Sequence, residues 1–362
     1  MAAVLLYAGL EAAVFRSGWY SRYLEPNSTA GEVEYHLLWL KQAARTKVPE
    51  VLVVGDSRMA EGFSPVIANA QVGGKLRFTN FGVPGSAPRV WYYMLRDADP
   101  DRNRFSSIVI AFDEYSDQDW GEDPRNRAPD VNYLAGRLEL DDCVDFAQSF
   151  PNRKLRPEIL TQCFLKGTAF RADAQDFLRD IPSRVARAKE WREKGAGYIE
   201  GYEGKPEELT GLTVDLVNQE LHFPPNLKDW QMDTIRTTCL PKQVPQTGAL
   251  TRYRKEWLGS ILDLYKGSAT KFVFLQLPRA PWPIPEPPTP ARFLESVAQN
   301  PNITVMPQDT FKDLEHPEVF ADGLHMNHVG QGIFSKRLAD RMVALEAAAP
   351  EMRGSLSGAS GH

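Results

Sequence analysis

Short apolar segments alternate with segments of helical periodicity over most of the chain. Mostly apolar runs, rich in β-branched and aromatic residues, occupy residues 50–54, 108–112 and 271–277. Runs of this kind are typical of parallel strands that are covered on both faces. Two weaker runs, at residues 75–81 and 303–306, complete a set of five predicted strands.

Helical periodicity separates these strands. Ser64 followed by Pro65 is a helix start signal, because serine caps and proline suits the first turn. Strands that alternate with helices imply a parallel sheet with right-handed crossovers. The sequence therefore predicts an α/β fold with a five-stranded parallel sheet. Helices are predicted over residues 34–44, 65–71, 88–96, 290–297 and 328–347.

A long region, residues 119–265, interrupts the alternation. It contains helical patterns near residues 170–193 and 250–265, with polar loops between them. A segment of this size is too long for a structureless loop, so we predict a mostly helical insertion. The flanking regions, 46–118 and 266–348, form the predicted core. Residues 18–45 are a helical lead-in, and residues 349–362 are a predicted flexible tail.

Residues 1–17 are mostly apolar, with Glu11 as the only acidic residue. The run is shorter than the roughly 20 residues that a spanning helix needs, and it lacks the marks of a signal peptide. Arg16 and the aromatic residues Trp19 and Tyr20 follow, as they do at a membrane interface. We favour the remnant of a membrane anchor; an ordinary helix packed on the domain is the alternative.

Composition excludes several classes of protein. The chain has 362 residues, with 42 basic and 47 acidic side chains and a formal charge of −5. No basic tract stands out, so we expect no nucleic-acid partner. A hydrophobic content of 43% is that of a globular protein.

The three cysteines, Cys143, Cys163 and Cys239, all lie in the predicted insertion. No Cys-x-x-Cys pair is present, which argues against a cysteine zinc site. One disulfide among them would suit a cell-envelope location. Three reduced, buried cysteines are the alternative, and the sequence favours neither. We expect no cofactor.

Two short motifs carry the candidate chemistry. The first strand runs into Gly55-Asp56-Ser57, which puts a hydroxyl at the carboxyl edge of the sheet. Asp322 and His325 lie just before the last predicted helix and can reach the same place from one loop. A serine hydroxyl needs a base to become a nucleophile. We therefore predict Ser57 as nucleophile, His325 as general base and Asp322 as the group that orients it.

Two other interpretations of these residues remain. Asp56 and Ser57 could serve only as a helix N-cap pair. Asp322, His325 and His328 have a spacing that zinc could use, although Asn327 or His328 more simply begins the helix.

A third motif follows the second strand, where Asn80, Gly82 and Gly85 form Asn-x-Gly-x-x-Gly. The three motifs, in this order, resemble the blocks of the GDSL, or SGNH, hydrolase superfamily. The resemblance covers roughly residues 45–118 and 265–346. It implies a three-layer α/β/α sandwich of the flavodoxin-like, SGNH type.

The resemblance also implies an oxyanion hole that contains the backbone N–H groups of Ser57 and Gly85. The family's third block, Gly-x-Asn-Asp, is absent, because the third strand runs into Asp113 and Glu114 with no asparagine. Tyr115 is a candidate for the missing third donor.

Three further residues are candidates for binding substrate. Arg58 follows the nucleophile and would contact either an anionic substrate group or Asp113 or Glu114. Arg279 and Trp282 follow the fourth strand and are placed to line the cleft. A packed aromatic is the simpler interpretation of Trp282.

The sequence thus predicts a serine-dependent esterase or O-acyl (acetyl) transferase that acts on a carbohydrate or cell-envelope glycan. Its partner would be an O-acylated glycan or small ester, and its location the envelope, with membrane association through the N-terminus. Hydrolysis and transfer stay open. The alternative is a non-catalytic glycan-binding or assembly protein with a degenerate fold, and a metal-dependent hydrolase comes third.

Overall fold

The computed structural model describes residues 2–112, 129–195, 203–206, 209–215, 217–218, 220–239, 252–284 and 291–357. The strands in these ranges are β1 (Glu50–Val54), β2 (Arg77–Asn80), β3 (Ser107–Phe112), β4 (Thr213–Asp215), β5 (Glu220–His222), β6 (Lys271–Gln276) and β7 (Ile303–Val305).

Five of these strands form one all-parallel sheet, as predicted. Their order in the sheet is β2-β1-β3-β6-β7. The short strands β4 and β5 pair separately as an antiparallel hairpin within the insertion. From β1 the chain moves to β2 on one side and then to β3 on the other. A crevice forms outside the carboxyl ends of strands where the order reverses in this way. The residues that follow β1 therefore lie at the preferred ligand position of the sheet.

Helices connect the strands and build most of the insertion. They are α1 (Ala2–Leu10), α2 (Thr29–Gln42), α3 (Ser57–Gly62), α4 (Pro65–Val72), α5 (Pro88–Ala98), α6 (Asp130–Leu134), α7 (Asp142–Gln148), α8 (Arg156–Phe164), α9 (Lys166–Ala169), α10 (Arg171–Arg179), α11 (Ile181–Lys194), α12 (Asp229–Cys239), α13 (Arg252–Leu264), α14 (Arg292–Val297) and α15 (His328–Ser357). A π-helical segment (Glu11–Arg16) and 3₁₀ turns (Tyr20–Tyr23, Lys312–Leu314, Pro317–Val319) complete the set.

Both faces of the sheet are buried, which explains why its strands lack an alternating pattern. In β1, Leu52 and Val54 belong to one apolar cluster together with residues of α2, α5 and α13. Val51 and Val53 belong to a second cluster with residues of α3, α4 and α15. All four side chains are fully buried. Burial of such side chains contributes roughly 1.5–3 kcal/mol each.

Helix ends follow local signals. The Ser64 hydroxyl accepts a hydrogen bond from the N–H of Ile67 at 3.3 Å, and Pro65 occupies the first helical position of α4. The helical pattern near residues 170–193 is two helices rather than one. Asp180 separates them and caps α11, whose second residue, Pro182, cannot continue a preceding helix. The last helix extends to Ser357, beyond its predicted end at residue 347.

The insertion contains a disulfide between Cys143 of α7 and Cys163 of α8. The structure therefore contains the single disulfide that was one of the two alternatives for the three cysteines. It closes a loop of 20 residues between helices that already pack together. A bond of this loop length contributes roughly 3 kcal/mol, largely by restricting the unfolded chain.

The N-terminal segment divides into two parts. The Glu11 carboxylate accepts the N–H groups of Lys166 and Gly167 at 2.6 and 2.9 Å and so ties the π-helical part to the insertion. The preceding helix α1 exposes Leu5 and Leu6 by 68% and 77%. Among the helices of the described ranges, none is both long and apolar enough to cross a membrane.

Candidate active site

The candidate nucleophile lies at the tight junction between β1 and α3. Ser57 is the first residue of α3 and is half-buried. Asp56 caps this helix, because its carboxylate accepts the N–H of Arg58 at 2.9 Å. A β-carbon at Gly55 would lie 2.6 Å from that of Met59, so the junction requires glycine. Asp56 therefore has the capping role that one sequence interpretation gave it.

The structure brings Ser57, His325 and Asp322 together across the sheet edge. The Nε2 atom of His325 lies 2.9 Å from the Oγ atom of Ser57. Its Nδ1 atom lies 2.9 and 3.0 Å from the two carboxylate oxygens of Asp322. The chain of contacts thus has the order hydroxyl, imidazole, carboxylate, which nucleophilic serine chemistry requires.

The charge of Asp322 decides which ring nitrogen of His325 carries the hydrogen. Burial alone would raise the pKa of Asp322, but contact with His325 and the N–H groups of Leu324 and His325 lower it to about 2. Both N–H groups lie 2.8 Å from the carboxylate. Asp322 is therefore ionised and only accepts hydrogen bonds, so Nδ1–H donates to it. Nε2 is left as the acceptor for the Ser57 hydroxyl.

The loop that carries Asp322 and His325 is closed by its own hydrogen bonds. The N–H of Ala321 donates to the carbonyl of His325 at 2.9 Å. The Asn327 side chain accepts the N–H groups of Val329 and Gly330 at 3.0 Å each and caps α15. The helix begins at His328, as one of the two predicted starts.

Asn80, of the third motif, ties the second strand to the helix of Ser57. Its amide donates to the carbonyls of Ala60 and Phe63 at 3.0 and 2.8 Å, while its oxygen accepts the N–H of Gly82 at 2.9 Å. A β-carbon at Gly82 would lie 2.6 Å from the nitrogen of Ala60. These contacts hold the turn after β2 directly against α3.

Gly85 needs glycine for two reasons. Its φ is +69°, a conformation that other residues adopt only with strain. A β-carbon there would also lie 2.6 Å from the hydroxyl of Tyr133. That hydroxyl donates to the carbonyl of Pro84 at 2.9 Å, so α6 packs against the turn that contains Gly85. Tyr133 was not predicted from the sequence, because a single tyrosine in a helical pattern carries no functional signal.

His36 supports the same turn from α2. Its Nε2–H donates to the carbonyl of Gly82 at 3.1 Å, and its ring stacks on Phe81. Burial lowers the pKa of His36 to about 4, so the ring is neutral at physiological pH. His36 was not predicted as part of the site, because a single histidine within a predicted apolar helix carries little functional signal.

The predicted substrate residues have different surroundings. The Arg58 guanidinium lies 2.9 Å from the Asp56 carboxylate. Arg279 and Trp282 are buried, which corrects the expectation that they line an open cleft. Both the backbone N–H and the guanidinium of Arg279 contact the buried carboxylate of Glu315, so this arginine is turned inward. Trp282 packs in the apolar cluster of α3, α4 and α15.

Several predicted residues lie outside the described ranges. They are Tyr115, the candidate third oxyanion donor, and Asp113 and Glu114, the suggested partners of Arg58.

Among the described residues, no group of three His, Cys, Asp or Glu side chains is arranged so that it could hold a metal ion. His328, the third suggested metal ligand, has its Nδ1 atom 3.2 Å from the carbonyl of Lys205.

The insertion reaches the loop of Asp322 at two places. Gln231 of α12 donates to the carbonyl of Ala321 at 2.8 Å within the protein interior. The N–H of His328 donates to the carbonyl of Lys205 at 2.8 Å. These two contacts place the insertion against the loop that carries Asp322 and His325.

A scan of protein-family models finds no match to this chain, and a search of curated proteins finds no relative either. The chemistry of the site is therefore argued from its own geometry.

Proposed function

We propose that this protein is a serine-dependent esterase or O-acyl transferase that works through an acyl-enzyme on Ser57. The observation that carries the proposal is the 2.9 Å contact between the Ser57 hydroxyl and His325. The ionised Asp322 behind the imidazole supports it, because a carboxylate there stabilises the imidazolium that forms when the proton moves.

In the proposed reaction, His325 Nε2 takes the hydroxyl proton of Ser57 while Oγ forms a bond to the carbonyl carbon of an ester. The tetrahedral intermediate then collapses, the bond to the alkoxy oxygen breaks, and the imidazolium returns its proton to that oxygen. Water or a sugar hydroxyl next attacks the acyl carbon and gives its proton to His325. The bond between this carbon and Oγ of Ser57 then breaks, and the imidazolium returns the proton to Oγ. The product is an acid in the first case and a new ester in the second.

The proposed oxyanion hole uses the backbone N–H groups of Ser57 and Gly85, with Tyr115 as a third candidate donor. Ser57 is the first residue of α3, where a helix has no internal acceptor for its N–H groups. The positive φ of Gly85 gives the turn a conformation that few other residues adopt. Loss of one such donor typically costs about 2.7–4 kcal/mol of transition-state stabilisation.

We assign the finer fold, a three-layer α/β/α sandwich of the flavodoxin-like, SGNH type, as part of the same proposal. Two apolar clusters, one on each face of the parallel sheet, support it. So does the place of Ser57 after the first strand, where the strand order reverses.

The proposed substrate is an acylated carbohydrate of the cell envelope, with acetyl as the acyl group, and this class comes from the resemblance to SGNH proteins. The Cys143–Cys163 disulfide supports an oxidising compartment. The exposed Leu5 and Leu6 of α1 support membrane association through the N-terminus. A cytoplasmic location is the alternative.

The test is active-site labelling of the purified protein with a fluorophosphonate, followed by peptide mass spectrometry. We expect one adduct, on Ser57, and none in Ser57→Ala or after heat denaturation. Folded wild-type protein that stays unlabelled would refute the proposal. Release of acetate from acetylated glycans, with and without a sugar acceptor, then separates hydrolysis from transfer.

A second function rests on a different observation, which is the absence of the family's Gly-x-Asn-Asp block directly after β3. A protein that lacks the asparagine donor of this block could bind glycans without cleaving them. Glycan binding that Ser57→Ala leaves unchanged, together with no release of acetate by the wild type, would favour this function.

A further inference from the structure

Lys205 of the insertion contacts both halves of the candidate site. Its Nζ atom lies 2.7 Å from the carboxylate of Glu61 and 3.5 Å from that of Asp322. Glu61 belongs to α3, the helix that begins with Ser57, and Asp322 belongs to the loop of His325. One ammonium group therefore links the element of the nucleophile to that of the base.

The backbone under this side chain is fixed to the same loop. Lys205 forms a parallel bridge with Asn327, and its carbonyl accepts the N–H of His328 at 2.8 Å. Gly204 has a φ of +83°, and a β-carbon there would lie 2.8 Å from the α-carbon of His328. The main chain thus approaches as closely as glycine allows, and Lys205 extends from an anchored position.

Lys205 keeps its charge at this site. Burial alone would lower the pKa of Lys205, but the ion pairs with Glu61 and Asp322 raise it. A lysine with a raised pKa remains an ammonium ion throughout the physiological range.

We propose that Lys205 is a positioning residue whose ammonium group holds α3 against the loop of Asp322 and whose charge acts on proton transfer between Ser57 and His325. The inference rests on the proposed function of the Ser57 site. It assigns a role in catalysis to part of the insertion.

The Lys205 ammonium contacts two carboxylates, those of Asp322 and Glu61, and its charge acts on the neighbouring His325. The Asp322 carboxylate favours a protonated imidazole, whereas the nearby ammonium of Lys205 opposes it. The Glu61 carboxylate also contacts this ammonium, and its negative charge offsets part of the effect. Removal of the lysine charge should therefore favour the imidazolium, and removal of the Glu61 charge should disfavour it.

Other charged groups face the same region among the described residues. Asp56 and Arg58 form an ion pair at the start of α3. Glu32 of α2 interacts with Glu61, and burial together with that charge raises the pKa of Glu32 to about 7. Because Glu32 changes its charge near neutral pH, the variants are best compared in a Glu32→Gln background.

The experiment follows protonation of the His325 ring by NMR against pH, which needs no catalytic turnover. The probe is selectively ¹³C-labelled histidine, assigned through His325→Gln. We expect Lys205→Met to move the midpoint upward by about half a pH unit and Glu61→Gln to move it downward. Lys205→Arg keeps the charge and should stay near the wild type. Lys189→Met, which removes an exposed lysine paired with Glu193 on α11, should have no effect.

Fluorophosphonate labelling of Ser57 is the second readout. On the acid side of the profile, the Lys205→Met variant should react about threefold more slowly, since half a pH unit corresponds to that factor. Circular dichroism checks that each variant is folded. If the NMR midpoints of Lys205→Met and Glu61→Gln both equal that of the wild type, the inference is wrong. Failure of the proposed function looks different, because wild-type Ser57 would then stay unlabelled whatever the midpoints are.

Discussion

The two sides of the candidate site are held in different ways. On the base side, charged and polar groups of the insertion contact the loop of Asp322, with Lys205 and Gln231 as the contacts. On the oxyanion side, neutral groups hold the turn after β2: Asn80, the uncharged His36 and the hydroxyl of Tyr133. In the proposed mechanism, His325 changes its charge during catalysis, and we propose that Lys205 influences that change. In the proposed mechanism, the turn after β2 keeps a single backbone conformation, and contacts with neutral groups are sufficient to maintain it.

The largest expected effect is loss of the base. His325→Ala leaves the Ser57 hydroxyl without an acceptor, so the rate of esterase turnover or fluorophosphonate labelling should fall by at least about 10⁴-fold. The variant should also lose stability, because the imidazole is only 15% exposed and pairs with the buried carboxylate of Asp322, so circular dichroism must show that it is folded. A variant that is folded and still reacts at a tenth of the wild-type rate would remove His325 from the mechanism.

The oxyanion side should respond to shape rather than to charge. Gly85→Ala forces an alanine into a positive φ and drives its β-carbon against Tyr133, so activity should fall about 10²–10³-fold. Gly73→Ala is the matched control, because Gly73 also has a positive φ but nothing lies within 4 Å of its β-carbon position. It should lose about 1 kcal/mol of stability and no activity.

The double variant Gly85→Ala, Tyr133→Phe isolates the steric part of this effect. Without the hydroxyl, the nearest remaining ring atom of residue 133 would lie 3.9 Å from the new β-carbon, an ordinary contact. We expect partial recovery of activity relative to Gly85→Ala alone, measured as a double-mutant cycle. No recovery would mean that backbone strain, and not the contact with Tyr133, disrupts the turn.

The pH dependence of stability should separate the two sides further. The pKa of His36 is about 4 in the folded protein, compared with 6.5 in the unfolded chain. The unfolded state therefore binds more protons between these values, and the free energy of unfolding falls as pH falls from about 6.5 to 4. The loss is about 3 kcal/mol at most. In His36→Gln, which can still donate to Gly82, urea unfolding should lose this slope.

The smallest expected effect is on the free energy of unfolding in acid, and it comes from Asp322. The pKa of Asp322 falls from 3.8 in the unfolded chain to about 2 in the folded protein. Its contribution to stability is full above pH 3.8 and is lost as pH falls towards 2, about 2 kcal/mol in all. The difference in unfolding free energy between wild type and Asp322→Asn should shrink over this window. A constant difference would mean that the carboxylate is not stabilised by His325.

Much of the fold could be predicted because its signals are local. Each of the five core strands overlaps an apolar run in the sequence, and the cap at Ser64 is a two-residue signal. The meeting of Ser57 with Asp322 and His325 was also foreseeable, because the carboxyl ends of parallel strands share one edge. The roles assigned to these residues stay predictions until labelling is done.

The supports of the site could not be predicted in the same way. His36, Tyr133 and Lys205 are single polar residues in helices or loops, where neither period nor spacing distinguishes them from solvated side chains. Arg279 shows the opposite case, since its position after a strand suggested that it lines the cleft, whereas it is buried against Glu315. Each outcome depends on a partner far away in the sequence.

The sequence by itself determined which segments become strands, that Ser57 follows the first of them, and that one loop carries both Asp322 and His325. These properties depend on neighbouring residues, because hydrophobic periodicity and capping act over one or two turns. Only the tertiary structure decided that Cys143 pairs with Cys163, that α2 and α6 hold the oxyanion turn, and that the insertion places Lys205 beside Asp322. Such contacts join residues that packing alone brings together, so their energies have no local signature in the chain.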